Sequence, residues 1–83
     1  MYTYEFTSKA LKQLRKFDKQ TQRVILSKID YYCKQDPFIN AGHLTDKKLG
    51  NYRFRIGDYR VVFDIDGKMI TILAVGNRRD IYK

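Results

Sequence analysis

The sequence predicts an α+β fold: an N-terminal strand, an antiparallel helical hairpin, then a three-stranded antiparallel meander, with the helices packed on one face of the sheet. Two observations carry this reading. Residues 49–83 contain two tight-turn signals, Gly57-Asp58 and Asp66-Gly67, each flanked by apolar/polar alternation. Upstream, apolar residues recur at helical spacing in two runs separated by a short break at Asp18.

With two residues in each turn, the strand register follows. Ile56 faces Tyr59, Arg55 faces Arg60 and Phe54 faces Val61, while across the second turn Phe63 faces Ile70 and Val61 faces Ile72. Side chains alternate between faces along a strand, so the two faces can be sorted. One carries Tyr52, Phe54, Ile56, Tyr59, Val61, Phe63, Ile70, Ile72 and Ala74, which is core material. The other carries Arg53, Arg55 and Arg60, with Val62, Asp64, Thr71 and Leu73 nearby. Like charges directly opposite one another destabilise a sheet by a few tenths to ~1 kcal/mol, so stability alone does not place Arg55 against Arg60. An anionic partner over that face does.

The chain has 83 residues and reads as one domain over 1–83, enough to fold around a single core. At 43% hydrophobic and 31% charged residues, it belongs with globular rather than disordered chains. A formal net charge of +8 speaks to partners: nucleic acid first, an acidic protein second, an anionic membrane third. The membrane ranks last because no segment joins a basic face to an aromatic insertion face. Without a long apolar run, secretory segment or lipidation motif, a cytoplasmic location is expected. A single cysteine, Cys33, excludes an internal disulfide framework and falls in a helical pattern, where a buried structural thiol is expected.

Residues 2–6 alternate aromatic and polar side chains, a short strand able to join the sheet. Thr7 or Ser8 caps a first helix carrying Ala10, Leu11, Leu14 and Phe17 at helical spacing. Its other positions, Lys9, Lys12, Arg15 and Lys16, form a basic face that is either solvated or extends a polyanion surface. Asp18 caps a second helix over about 19–35, in which Ile25, Leu26, Ile29, Tyr32 and Cys33 form one apolar stripe. Asp36-Pro37 ends it, because the residue before proline avoids the helical region. Residues 37–48 show no periodicity and read as a connecting loop holding His43, the one histidine. That histidine has no Cys, Asp or Glu at ligand spacing, which argues against a metal site. No zinc pattern, P-loop, dinucleotide fingerprint or nucleophile elbow occurs.

Residues 50–63, GNYRFRIGDYRVVF, followed by residues 75–83, VGNRRDIYK, resemble the RelE/ParE superfamily of bacterial and archaeal toxins. The resemblance spans nearly the whole chain, and the Arg-Arg-Asp-Ile-Tyr ending is similar to the ribonuclease members of the RelE branch. It implies a RelE-like fold and an mRNA interferase that cuts messenger RNA in the ribosomal A site. It also implies a cognate RelB-like antitoxin, with the ribosome and mRNA as further partners and no membrane. Position by position, Arg53 and Arg55 match strand residues near the scissile phosphate, and Arg60 the arginine after the hairpin tyrosine. Arg78 matches the arginine near the end of the last strand, and Tyr82 the tyrosine of the tail. Arg79 and Lys83, with Lys47 and Lys48 in the loop, are the further expected RNA contacts.

The implied reaction is attack of a ribose 2′-OH on the adjacent phosphate, with no metal and no cofactor. Arg60 and Arg78 suit stabilisation of the phosphorane, because a guanidinium grips phosphate oxygens bidentately. Tyr82 suits base stacking or proton transfer. Arginine holds its proton above pH ~12 and so is a poor base. Asn77 stands where many relatives have a histidine or lysine, and the general base is unassigned. Two other readings fit the same scaffold: a ParE-like poison of DNA gyrase, and a decayed toxin that only binds RNA or its antitoxin.

Overall fold

The computed structural model describes residues 2–37, 41–43, 52–77 and 79. In chain order the elements are β1 (Thr3–Phe6), α1 (Ser8–Arg15), α2 (Lys19–Lys34), β2 (Ala41–His43), β3 (Tyr52–Ile56), β4 (Tyr59–Asp66) and β5 (Met69–Asn77). They build one five-stranded sheet in the order β1-β5-β4-β3-β2. β1 runs parallel to β5, and the other neighbours are antiparallel. The strand–helical hairpin–meander plan is the expected one.

Three details depart from the sequence reading. The stretch read as a loop contains β2, which pairs with β3 through Ala41–Phe54, Gly42–Arg53 and His43–Tyr52. Three residues are too few to show alternation, and the free edge of β3 supplies what the segment lacks. The second turn is Gly67-Lys68 rather than Asp66-Gly67, since Asp66 pairs with Met69. Both turns place glycine first, with φ of +59° at Gly57 and +61° at Gly67, and no other described residue has positive φ. That pattern, positive φ at the first central residue alone, suits a hairpin turn with glycine leading. The first turn already had this order.

The third departure is a bulge. Phe63 pairs with Ile72 and Val62 with Ala74, so Leu73 has no partner on β4. The shifted turn already puts Phe63 opposite Ile72 instead of Ile70, and the bulge adds one more residue, so Val61 opposes Val75 instead of Ile72. One extra residue reverses the face of everything after it. Val75 joins the core opposite Val61, and Ala74, expected in the core, sits beside Val62 on the other face.

The core forms between the helices and the sheet. Ala10 and Leu14 of α1 and Ile25, Ile29 and Cys33 of α2 meet Phe54, Val61, Phe63, Ile70 and Ile72. Tyr32, Phe54 and Phe63 make a continuous aromatic run, with centroids 4.8 Å and 4.2 Å apart. Thr7 caps α1 as expected, its Oγ1 accepting from the Ala10 N–H at 3.1 Å. Asp18 occupies the N-cap position of α2, but its carboxylate makes no capping bond. Gln22 Nε2 donates instead to the Phe17 carbonyl at 2.8 Å, closing the corner between the helices.

β1 ends at Phe6, opposite Ile72, leaving the rest of that β5 edge to be covered. The α1 segment covers it. Thr7 Oγ1 donates to the Leu73 carbonyl at 3.4 Å, and the Val75 N–H donates to Gln13 Oε1 at 2.8 Å. Val75 is 1% exposed, so water has no access to replace that acceptor. Gln13→Leu should cost about 1–3 kcal/mol by orphaning this N–H. Urea denaturation would show it, and an unchanged midpoint would refute the role of Gln13.

Cys33 is the buried thiol expected, 2% exposed. Burial first, and the nearby Asp30 second, push its pKa up from 9.0 to about 11. The folded chain thus holds the thiol proton more tightly than the unfolded chain. Its contribution to stability is intact below pH ~9 and lost as pH rises through ~11. Cys33→Ala should flatten the alkaline decline of stability across that window, measured by denaturation at stepped pH.

Candidate nucleic-acid interface

Alternation puts Arg53 and Arg55 of β3 on the sheet face away from the helices, together with Arg60, Val62, Asp64 and Asp66 of β4. Arg55 stands directly opposite Arg60, and Arg53 opposite Val62. Exposure differs sharply among the three arginines. Arg55 is exposed and Arg53 half-buried, whereas Arg60 is 7% exposed.

The burial of Arg60 has a local cause. Its Nη1 donates to the Tyr59 carbonyl at 3.0 Å and to the Gly57 carbonyl at 3.3 Å. The guanidinium is folded onto the first hairpin turn, where two carbonyl dipoles offset the charge of Arg55 across the ladder. The sequence placed the two arginines together but did not reveal this anchoring. The centre of the face is also closed rather than open, as Val62 is 0% and Ala74 4% exposed.

At the end of β5, Asn77 pairs with Tyr59, and its Oδ1 accepts from the Arg79 N–H at 3.1 Å. This Asx-type turn redirects the chain as it leaves the sheet, at the same end as Arg55 and Arg60. Asn77 thus has a backbone-capping role, one that the preference of Asn for such turns signals in the sequence. Arg79 is exposed. Arg78, Tyr82, Lys83, Lys47 and Lys48 lie outside the described residues.

Tyr52 and Tyr59 belong to the packing. Tyr59 meets Phe17 edge-on at 5.1 Å, and Tyr52 stacks on Phe63 at 5.7 Å. Lys9, Lys12, Arg15 and Lys16 are exposed on the helix layer, across the sheet from the arginines. Among the described residues, no group of three or more His, Cys, Asp or Glu side chains could hold a metal ion. No helix among them is long and apolar enough to cross a membrane.

The described residues thus form a small basic domain with α1 and α2 on one sheet face and Arg53, Arg55 and the turn-anchored Arg60 on the other. Residues 4–82 match the family described as the ParE toxin of the type II toxin-antitoxin system, parDE. The chain belongs to this family, within the RelE/ParE superfamily, and is a toxin of a type II toxin-antitoxin system. One chain of the RelBE2 toxin-antitoxin complex of Mycobacterium tuberculosis is similar at 25% identity and a TM-score of 0.81, over 93% of this chain and 98% of that one. A chain of the RelE-RelB complex of Pyrococcus horikoshii has 26% identity and a TM-score of 0.72, over 95% and 97%. The RelB-RelE complex of Methanococcus jannaschii shares the fold, at 23% identity and a TM-score of 0.67, over 93% of each chain. No curated protein matches the sequence.

The two facing arginines should respond oppositely to truncation. Arg60→Ala should lower stability by about 1–3 kcal/mol through loss of its bonds to the turn. Arg55→Ala, which removes a repulsion, should leave stability unchanged or raise it by a few tenths of a kcal/mol. Parallel urea titrations test this, and equal losses would refute the anchoring.

Proposed function

We propose that this toxin is a ribosome-dependent endoribonuclease that cuts messenger RNA in the A site, and that a RelB-like antitoxin neutralises it. The observation that carries the reading is Arg55 opposite Arg60 on the sheet face away from α1 and α2. Arg55 is exposed beside the turn-anchored Arg60, so the pair adds positive charge where an anion can reach it. The RelBE2 and RelE-RelB complexes that contain chains similar to this one support the antitoxin partner.

In the proposed reaction the ribose 2′-oxygen bonds to phosphorus and the bond from phosphorus to the 5′-oxygen breaks. The 2′-OH proton leaves and the departing 5′-oxygen gains one, giving a cyclic phosphate and a 5′-OH end. Arg53, Arg55 and Arg60 supply positive charge to the phosphorane, and removing one such donor costs about 10²–10³-fold in rate. Arg78 and Tyr82 enter through the resemblance as a further phosphate contact and a stacking or proton-moving group. Arginine retains its proton, so the proposed catalysis rests on charge and on holding the 2′-OH in line.

The ParE family description favours a second reading, poisoning of DNA gyrase. Toeprinting of a defined message on ribosomes with an empty A site separates the two. The nuclease reading expects a cut within the A-site codon by wild-type protein, reduced about 10²-fold or more in Arg55→Ala, which keeps the fold. Intact message, together with gyrase-dependent DNA breaks in the same cells, would overturn it in favour of gyrase.

A further inference from the structure

The sheet order leaves β1 at an edge, with β5 as its one strand neighbour. In that parallel pair the Thr3 and Thr7 N–H groups donate to the Lys68 and Ile72 carbonyls, at 2.9 Å and 3.0 Å. Backbone groups alternate sides along a strand, so those of Tyr4 and Phe6 point away from β5. Among the described residues nothing pairs with them. The Tyr2 N–H, on the same side, donates to the Cys33 carbonyl of α2 at 3.1 Å. At the other end Thr7 already caps α1. The open edge is therefore a slot from Tyr4 to Phe6, about 10 Å long, bounded by α2 at one end and α1 at the other. Proline, lysine or a bulge blunts many natural edges, and β1 has none of these. The side chains beside the slot set what can fill it. Tyr4 and Phe6 pack against the core on the helix side, edge-on to each other at 6.1 Å. Glu5 is exposed and, by alternation, on the other face.

We infer that the β1 edge is a docking slot for an extended segment of the antitoxin, which adds to the sheet as a further strand. The inference rests on the antitoxin part of the proposed function and is independent of the nuclease part. Backbone pairing supplies the attraction, and the neighbouring side chains supply the selection. In the added strand, the residues opposite Tyr4 and Phe6 face the helix side and are apolar. The residue between them stands beside Glu5 and is not acidic. The segment thus reads apolar–polar–apolar. A second copy of this chain fits badly. Pairing β1 antiparallel with itself, so that Tyr4 and Phe6 are both used, sets Glu5 directly against Glu5, where like charges repel. Each copy also brings a net charge of +8, which opposes self-association and draws a partner of acidic balance.

The test is amide-to-ester replacement, which removes one N–H donor and keeps the side chain. Cys33 is the single cysteine, so a synthetic peptide of residues 1–32 can be ligated to residues 33–83 at that thiol. Esters at Tyr4 and at Phe6 should leave the urea midpoint of the free toxin unchanged, because neither N–H is used there. Each should weaken binding of the cognate antitoxin roughly three- to tenfold. An ester at Glu5, whose N–H the same alternation commits to β5, should instead lower the midpoint of the free toxin. In the toxin–antitoxin complex, hydrogen exchange of the Tyr4 and Phe6 amides should slow about tenfold or more relative to the free toxin. Antitoxin affinity unchanged by both esters, with no slowing of exchange, would overturn the slot and leave the antitoxin reading standing. Slowing that grows with toxin concentration in the absence of antitoxin would mark a second copy on the edge and also overturn it. A toxin that its antitoxin neither binds nor neutralises would sink the reading on which the slot rests.

Discussion

The register of β4 is the constraint on which the rest of this structure depends. β4 is the strand both hairpins share, and each is closed by a two-residue turn whose first residue must hold positive φ. Glycine occupies both positions because an L side chain there costs about 1–2 kcal/mol. Once Gly57 and Gly67 close the turns, every opposition across the sheet follows. Phe54 meets Val61 and Phe63 meets Ile72 on the core side, and Arg55 meets Arg60 on the other. A slip of one residue would exchange core and site together, so the forces that bury the aromatics also hold the arginines in place.

The bulge at Leu73 and the α1 segment form a second linked arrangement. Beyond the bulge Val75 turns into the core, and its N–H points to an edge that β1 no longer covers. Gln13 accepts that N–H while Leu14, one residue along α1, packs into the core. The helix layer is thereby tied to the strand that leads to Asn77 and Arg79. The arginines lie on the sheet face opposite the core these helices build, yet the last strand of that face is held by α1.

Much of the candidate site was legible because arginines on alternate strand positions need only a turn to be brought together. Arg53, Arg55 and Arg60 share one face as expected, and Tyr52 and Tyr59 fall in the packing. The burial of Arg60 was not legible. Nothing in its sequence neighbourhood distinguishes it from Arg55, and only the conformation of the turn aims two carbonyls at its guanidinium. Asn77 was noticed as a departure from relatives, and its geometry gives it a task of its own as acceptor for Arg79.

By itself, the sequence determined the order of every element but β2, the two helices with their apolar stripes, the first hairpin and the opposition of Arg55 and Arg60. Each of these depends on residues close together in the chain, through helical spacing, alternation or turn chemistry. Only the tertiary structure decided that Ala41–His43 is a strand, that Leu73 bulges and that Gln13 seals β5. Those features satisfy backbone groups left over when distant segments meet, and no local pattern records such a remainder. The short β2 exists because β3 has an edge to cover, and Gln13 has its partner because β1 stops at Phe6.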